Sequence, residues 1–341
     1  MPGRLLKSPM SRKQSFLYII CVVILVYVLV YMPTPYMING PGSADELKPI
    51  VSVAGGQKDE KGTFMLTTIS VTYANTAMLI ASLFDSNEEI VRKTIQSNRA
   101  EYEAEQLYYM SSSQSYAIAA AYKKAGIPYG VEPQYVFVVS VPDARTSIHA
   151  GDKFISIDQQ PITSFKQLEQ VLQSKKNGDQ VQVVLERAGT QITLPVSLTQ
   201  FKDSDGQERV GFGVSIGEVQ KIAPKDADHE VHFANTNIGG PSAGLMFTLE
   251  IYNQLTSGDL TRGHRIAGTG TINPQGQVGE IGGVQHKVVA AQQAGATIFL
   301  VPKGNYADAK AQLAKMKSSM QLISVSTLDD ALNALNTLST S

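Results

Sequence analysis

Two residues of this chain have the types and spacing to do covalent chemistry together. Ser242 lies in Gly240-Pro241-Ser242-Ala243-Gly244, and Lys287 lies 45 positions downstream in Gly282-Gly283-Val284-Gln285-His286-Lys287. A serine hydroxyl is a weak nucleophile until a base takes its proton, and a lysine can be that base only when uncharged. A helix expected from about Ala243 to Leu255, with Leu245, Leu249 and Tyr252 on one stripe, puts Ser242 at its N-terminus. Backbone N–H groups and the helix dipole favour negative charge there. A tetrahedral oxyanion would gain roughly 3 kcal/mol per donor. Gly240, Pro241 and Ala243 form the expected oxyanion and substrate loop. Taken alone, the position describes an N-terminal helix serine better than a nucleophile.

Lys287 shifts that balance. The second helix is expected from Val284 to Ala294, after Gly282-Gly283 and before Gly295. Val284, Val288, Ala291 and Ala294 form its apolar stripe, while Gln285, His286, Gln292 and Gln293 face the other way. Lys287 falls inside the apolar stripe. A lysine aimed at the core must snorkel out, pair with a carboxylate, or lose its proton. Desolvation favours the neutral amine that a general base near neutral pH requires. Snorkelling is the competing reading.

Composition narrows the alternatives. The single cysteine, Cys21, lies in an apolar run, which leaves no disulfide and no cysteine-based metal site, and no histidine pair has the H-E-x-x-H spacing. No cofactor and no metal are expected. A net charge of −1 without a basic stripe gives no footprint for nucleic acid. One enzymatic rival is that Gly240-Pro241-Ser242-Ala243-Gly244 satisfies G-x-S-x-G, the nucleophile elbow of α/β-hydrolase-type esterases, with His264 or His286 as base. The other rival is a non-catalytic surface scaffold that carries a peptide-binding module.

The elements that must position these residues form an α+β chain of 341 residues, 43% of them apolar. Arg4, Lys7, Arg12 and Lys13 (in a cytoplasmic tail, residues 1–15) precede an uncharged run, Phe16 to Met32. At 1.5 Å per residue that run reaches roughly 25 Å, the low end for a transmembrane helix. Basic residues on its N-terminal side place the N-terminus in the cytoplasm and the rest outside the cell membrane, single-pass. A cleaved signal peptide is the alternative, although Met32-Pro33-Thr34-Pro35-Tyr36 offers no small-x-small cleavage site. Residues 33–126 read as a Pro/Gly-rich stalk to Pro49 and a strand, Gly62 to Tyr73, that could dock on the catalytic domain. A mostly helical stretch follows, whose last helix opens after Ser111–Ser113. Glu88, Glu89, Glu101, Glu103 and Glu105 read as a solvated helix face.

Residues 127–199 change to short strands and turns. Tyr135 to Val141, the Gly151-Asp152 turn with its following strand, a helix capped by Ser164 and running to Leu172, and strands Gln180–Arg187 and Gln191–Leu198 succeed one another. This order, with the motif AGDKFISIDQQPI, resembles a PDZ domain. The resemblance implies peptide binding by strand addition, in a groove between the Tyr135–Val139 strand and the Phe165–Leu172 helix. Only Gly130-Val131 fits the family's carboxylate loop before that strand, which argues against capture of C-termini, so the module is expected to grip internal segments or to act as a spacer.

Residues 200–341 carry GGPSAG and then GTGTINPQGQVGEIGGVQHKVVAAQQAGATIFLVPKGN, which closely resemble the proteolytic domain of Lon proteases from about 210 to 325. The resemblance implies Ser242 as nucleophile, Lys287 as base and Thr269 as a support for the lysine. Where that family usually has an acidic residue two before the proline, this chain has Gly239. Anchor, PDZ module and Lon-type domain in this order resemble the PDZ-containing Lon-like serine proteases of Gram-positive bacteria. The chain has no G-x-x-x-x-G-K-[ST] motif, so ATP-independent cleavage is expected, with a peptide or protein substrate. Lon domains often form rings, which makes a homo-oligomer compatible with the resemblance.

Overall fold

A computed structural model describes residues 11–57, 61–93, 99–142, 146–202, 206–234 and 238–340. Arg4, Lys7 and the loop residues Asn235–Asn237 lie outside the described residues. The chain divides into two compact units, Met1–Pro41 with Ile69–Thr94, and Gly42–Thr68 with Ile95–Ser341.

In the first unit, helix α1 (Arg12–Tyr31) begins with a capping box between Ser11 and Gln14. Its 20 residues are apolar enough and long enough to cross a membrane, a test that a signal sequence also passes. The expected stalk is instead strand β1 (Pro33–Glu46). Chain order then gives β2 (Val51–Val53), β3 (Thr63–Asn75), helix α2 (Thr76–Ser82) and β4 (Glu89–Arg92). β1 lies between β3 and β4, and β4 pairs with Tyr36–Asn39, the stretch between Pro35 and Pro41. Proline has no N–H to give a ladder, so the pairing uses the proline-free part. Cross-strand pairing, rather than propensity, makes this segment a strand.

Helix α3 (Arg99–Ala125) is one unbroken element of 27 residues, where a helix starting only after Ser113 was expected. Ser111 and Ser115 do not start it. The Ser111 hydroxyl donates back to the Leu107 carbonyl, which lets serine sit inside a helix, while Ser115 Oγ shares its one proton between the Ser111 carbonyl at 3.1 Å and the nearer Gln220 carbonyl at 2.6 Å. The acidic stretch also departs from a uniform solvated helix face. Glu89 is in β4, and Glu101 is buried on α3, accepting from the Val141 amide at 3.1 Å.

The PDZ-like part of the second unit contains β5 (Tyr129–Ser140), β6 (Lys153–Ile157), β7 (Gln160–Pro161), α4 (Phe165–Leu172), β8 (Gln180–Arg187), β9 (Thr190–Ser197), β10 (Thr199–Lys202), β11 (Glu208–Gly211) and β12 (Ser215–Pro224). Its sheet runs β12-β5-β6-β8-β9 over a core that includes Val136, Val138, Phe154, Leu168 and Val183. The expected groove beside β5 is not formed. β5 has β12 on one side and β6 on the other, so no edge of it is left for a peptide. The strand beside α4 is β12, whose Glu218 accepts from the Phe165 amide at 2.7 Å. β12 ends the sheet and follows Gly211-Phe212-Gly213-Val214, a Gly-hydrophobic loop that the region before β5 lacks.

Asp152 is fully buried in this module. Arg187 donates to both of its carboxylate oxygens at 2.7 Å, and the His149 amide donates at 2.8 Å. Removing one partner of such a pair strands the other. Asp152→Ala should therefore lower unfolding stability by about 3 kcal/mol, read as a lower urea midpoint.

The C-terminal part adds β13 (Val231–Phe233), α5 (Gly244–Leu255), β14 (Arg265–Gly268), β15 (Thr271–Ile272), β16 (Val278–Gly279), α6 (Val284–Gln293), β17 (Ile298–Pro302), α7 (Tyr306–Met316), β18 (Gln321–Val325) and α8 (Leu328–Asn336). β18, β17, β14 and β3 are parallel neighbours in that order. Both faces of this sheet are covered. Phe64, Leu66, Ile266, Ile298 and Leu300 pack with α3, α5 and α8, while the alternate residues Met65, Ala267, Phe299 and Val301 pack with α6 and α7. Side chains alternate across a strand, so these apolar runs serve two cores.

Candidate active site

Ser242 and Lys287 approach each other because their helices cover opposite faces of the same sheet and β14 ends between them. Ser242 lies two residues before α5, whose N-cap is Ala243, and no side chain caps that helix. Its hydroxyl is therefore not spent on capping, as the ordinary helix serine would be. Lys287 sits in the first turn of α6, which opens from Gly283 with φ +68°, a left-handed conformation that glycine adopts without strain.

Lys287 is only 3% exposed. Its Nζ lies 2.6 Å from Ser242 Oγ and 3.1 Å from Thr269 Oγ1. Thr269, one residue past β14, donates its hydroxyl to the Ser242 carbonyl at 3.1 Å. The Thr269 oxygen thus accepts from the amine, and the amine lone pair is left for the serine proton. Gly270 fixes the same stretch by donating its amide to the Ser242 carbonyl at 2.8 Å. Among the described residues no carboxylate pairs with Lys287, and burial alone pushes its pKa from 10.5 down to about 7. Lys287 stays in the interior rather than snorkelling out. An amine that is substantially neutral at pH 7 and touches a hydroxyl can take its proton.

The expected loop residues divide by role. Gly240 takes a left-handed φ of +91° and gives its amide to the Gln106 carbonyl of α3 at 2.8 Å. Pro241 has no amide hydrogen, and its carbonyl accepts from Ser113 Oγ at 3.1 Å. Of the three, Ala243 is the one whose amide remains for an oxyanion. Gly239 has a local cause. A Cβ there would meet the Gln106 Cβ at 2.7 Å, so α3 occupies the space an acidic side chain would need.

His286 departs from its expected position, since it is buried rather than on a polar face. His264 Nε2 lies 2.9 Å from the Ser339 carbonyl oxygen. Neither contacts Ser242, whose hydroxyl has Lys287 as its partner.

The expected helix ending at Ala125 gave no sign that α3 belongs to the site. Gln106 and Ser113 hold the loop before Ser242, and Tyr108, Tyr109 and Tyr116 form one wall of a cleft of about 780 Å³. Pro241, Ile272 and Val278 line it further, and every lining residue is uncharged. α3 also reaches the PDZ-like sheet. The Tyr108 ring packs on Gly217 and lies 6.3 Å, stacked, from Phe137. Pro133 has no N–H for its register partner Gln220, and Ser115 Oγ donates to the Gln220 carbonyl at 2.6 Å. The Tyr-x₆-Tyr and Ser repeats of α3 were the only local signal of these contacts, and they also fit a plain amphipathic helix.

Residues 216–337 match the Lon protease (S16) C-terminal proteolytic domain, and residues 126–198 match the PDZ domain. Similar proteins include a Lon protease of Campylobacter concisus, 42% identical over 98 residues, 28% of this chain and 12% of that protein. A Lon protease of Phenylobacterium zucineum is 35% identical over 148 residues, 42% of this chain and 18% of that protein. Lon protease 2 of Desulfotalea psychrophila is 30% identical over 158 residues, 45% and 20% respectively. The chain thus spans a fifth or less of these relatives. Among solved structures, the PDZ domain of an SdrC-like protein from Listeria monocytogenes is 28% identical, with a TM-score of 0.21, over 24% of this chain and 85% of that one. The fold is a mixed α+β chain with an apolar N-terminal helix, a PDZ domain and a Lon proteolytic domain. It carries a Lon-type serine protease domain.

Proposed function

We propose that this chain is a membrane-anchored serine endopeptidase, acting without ATP at the outer face of the cell membrane on peptides or on membrane and secreted proteins. Ser242 is the nucleophile, Lys287 the general base, and Thr269 the residue that holds the amine. The observation that carries this reading is the 2.6 Å contact between a buried amine and the serine hydroxyl. In acylation the Ser242 proton passes to Lys287 as Oγ bonds to the scissile carbonyl carbon, and the Ala243 amide faces the oxyanion. Collapse breaks the C–N bond, and the protonated lysine returns that proton to the leaving amine. Water then attacks the ester, giving its proton to Lys287, and Ser242 regains a proton as the acid product leaves.

The neutral cleft beside Pro241 suits substrate segments with uncharged, apolar or aromatic side chains. The outer edge of β12, beside α4, is where a peptide would add to the PDZ sheet. Arg12 and Lys13 at the start of α1 support a cytoplasmic N-terminus. The test is covalent. A phosphonofluoridate probe should label Ser242 in the purified full chain, located by peptide mass spectrometry, and labelling should vanish in Ser242→Ala. Labelling elsewhere, or labelling that needs His264 or His286, would return the esterase reading.

A further inference from the structure

We infer that the segment Thr76–Phe84 is a second membrane contact, a short helix and turn that dips its apolar side chains into the lipid interface beside the end of α1. The inference rests on α1 being a membrane span. Within the first unit, the nine residues Thr-Ala-Met-Leu-Ile-Ala-Ser-Leu-Phe carry no charge, and four large side chains stand out from the protein. Met78 is 42% exposed, Ile80 50%, Leu83 73% and Phe84 87%. Four large exposed apolar side chains within nine residues mark an interaction site.

The position of the segment identifies the partner. α1 has 20 residues, about 30 Å at 1.5 Å each, the thickness of a bilayer's hydrocarbon core. Its C-terminal turn therefore lies at the far interface, where the stacked pair Tyr27 and Tyr31, 5.6 Å between centroids, fits the aromatic belt. Asn75 ties α2 to that level. Its Oδ1 accepts from the Met78 amide at 2.8 Å and caps α2, and its Nδ2 donates to the Val30 carbonyl at 2.8 Å. One side chain thus begins α2 and satisfies a carbonyl in the last turn of α1. Nearby Lys93 reaches the Thr34 carbonyl and lies 4.7 Å over the Tyr73 ring, a cation at headgroup level. Beyond Phe84 the chain turns polar with Asp85, Ser86, Asn87, Glu88 and Glu89, which keeps the following residues in water. An uncharged apolar patch at interface depth partitions by buried area, not by charge.

The test uses the full chain in phosphatidylcholine vesicles. Cys21 is the only cysteine, so Cys21→Ser gives a background for single labels at Phe84→Cys, Leu83→Cys and, as a reference on α1, Val23→Cys. Each carries an environment-sensitive nitrobenzoxadiazole dye. Labels at 83 and 84 should lose most of their emission to lipids with a nitroxide near the headgroup and resist aqueous iodide, equally with or without anionic lipid. Quenching by iodide as in free dye overturns the inference. Shielding from both quenchers means that protein, such as a second copy, covers the patch, and that also overturns it. A label at 23 that escapes lipids carrying the nitroxide deep on the acyl chain sinks the anchor reading, whatever the labels at 83 and 84 report.

Discussion

Lys287→Arg should abolish turnover, lowering kcat/KM by about 10⁴-fold or more. Guanidinium stays protonated at any usable pH, so it can fill the space and still not accept the serine proton. In the unmodified protein the same physics sets the pH profile. Burial holds the folded amine near 7, far below its ordinary 10.5. The neutral form, which is the competent one, grows as pH rises. kcat/KM should climb about tenfold per unit below pH 7 and level off above it, one titration moving one proton. Measuring the profile on an uncharged peptide removes substrate titration from the result. A flat profile between pH 5.5 and 8.5, or turnover retained in Lys287→Arg, would show that another group takes the proton.

Gly268→Ala should cost about 1–3 kcal/mol and reduce kcat more than it raises KM. A Cβ at 268 would meet Met246 Sδ at 2.5 Å, Leu300 Cβ at 2.9 Å and the Leu300 carbonyl oxygen at 3.0 Å. Met246 Sδ is the end of a flexible side chain and can turn away, but the two Leu300 atoms sit at the backbone of β17, so relief requires β14 and β17 to shift against each other. Thr269 directly follows Gly268 and bonds both the Lys287 amine and the Ser242 carbonyl, so the same shift of β14 disturbs the alignment of hydroxyl and amine. Thermal unfolding and steady-state kinetics on the one variant check both halves. A stable variant with unchanged kcat would mean that the packing there is looser than the distances imply.

The parts legible in the sequence were those written in short-range pattern. The place of Lys287 inside an apolar stripe of α6 was visible because one helix encodes it. The bounds of α4 and β8 were visible because a serine cap and a period of two are local signals. What failed depended on partners far along the chain. β1 has proline-rich, loop-like composition and becomes a strand only through β3 and β4. The serines of α3 resemble a helix start, and the carbonyls that take up Ser113 and Ser115 in mid-helix, those of Pro241 and Gln220, belong to distant parts of the chain. The strand beside α4 lies beyond Leu198, after the stretch with the PDZ pattern, and local reading assigned the groove to β5 instead. His286 looked polar by its position on the helix wheel, yet α6 is buried on more sides than an amphipathic surface helix would be.

Recognisable sequence borders and cooperative borders do not coincide in this chain. A fragment trimmed to residues 216–337 would keep both the serine and the lysine, yet it would lose β3, the parallel neighbour on one side of β14. It would also lose α3, whose Gln106 and Ser113 hold the loop before Ser242 and whose tyrosines wall the cleft. Excising the PDZ-like segment alone would cut the path from α3 to β12. The two modules are therefore not interchangeable parts on a string. Swapping either one between relatives requires carrying α3 along as the shared piece that both have been fitted to.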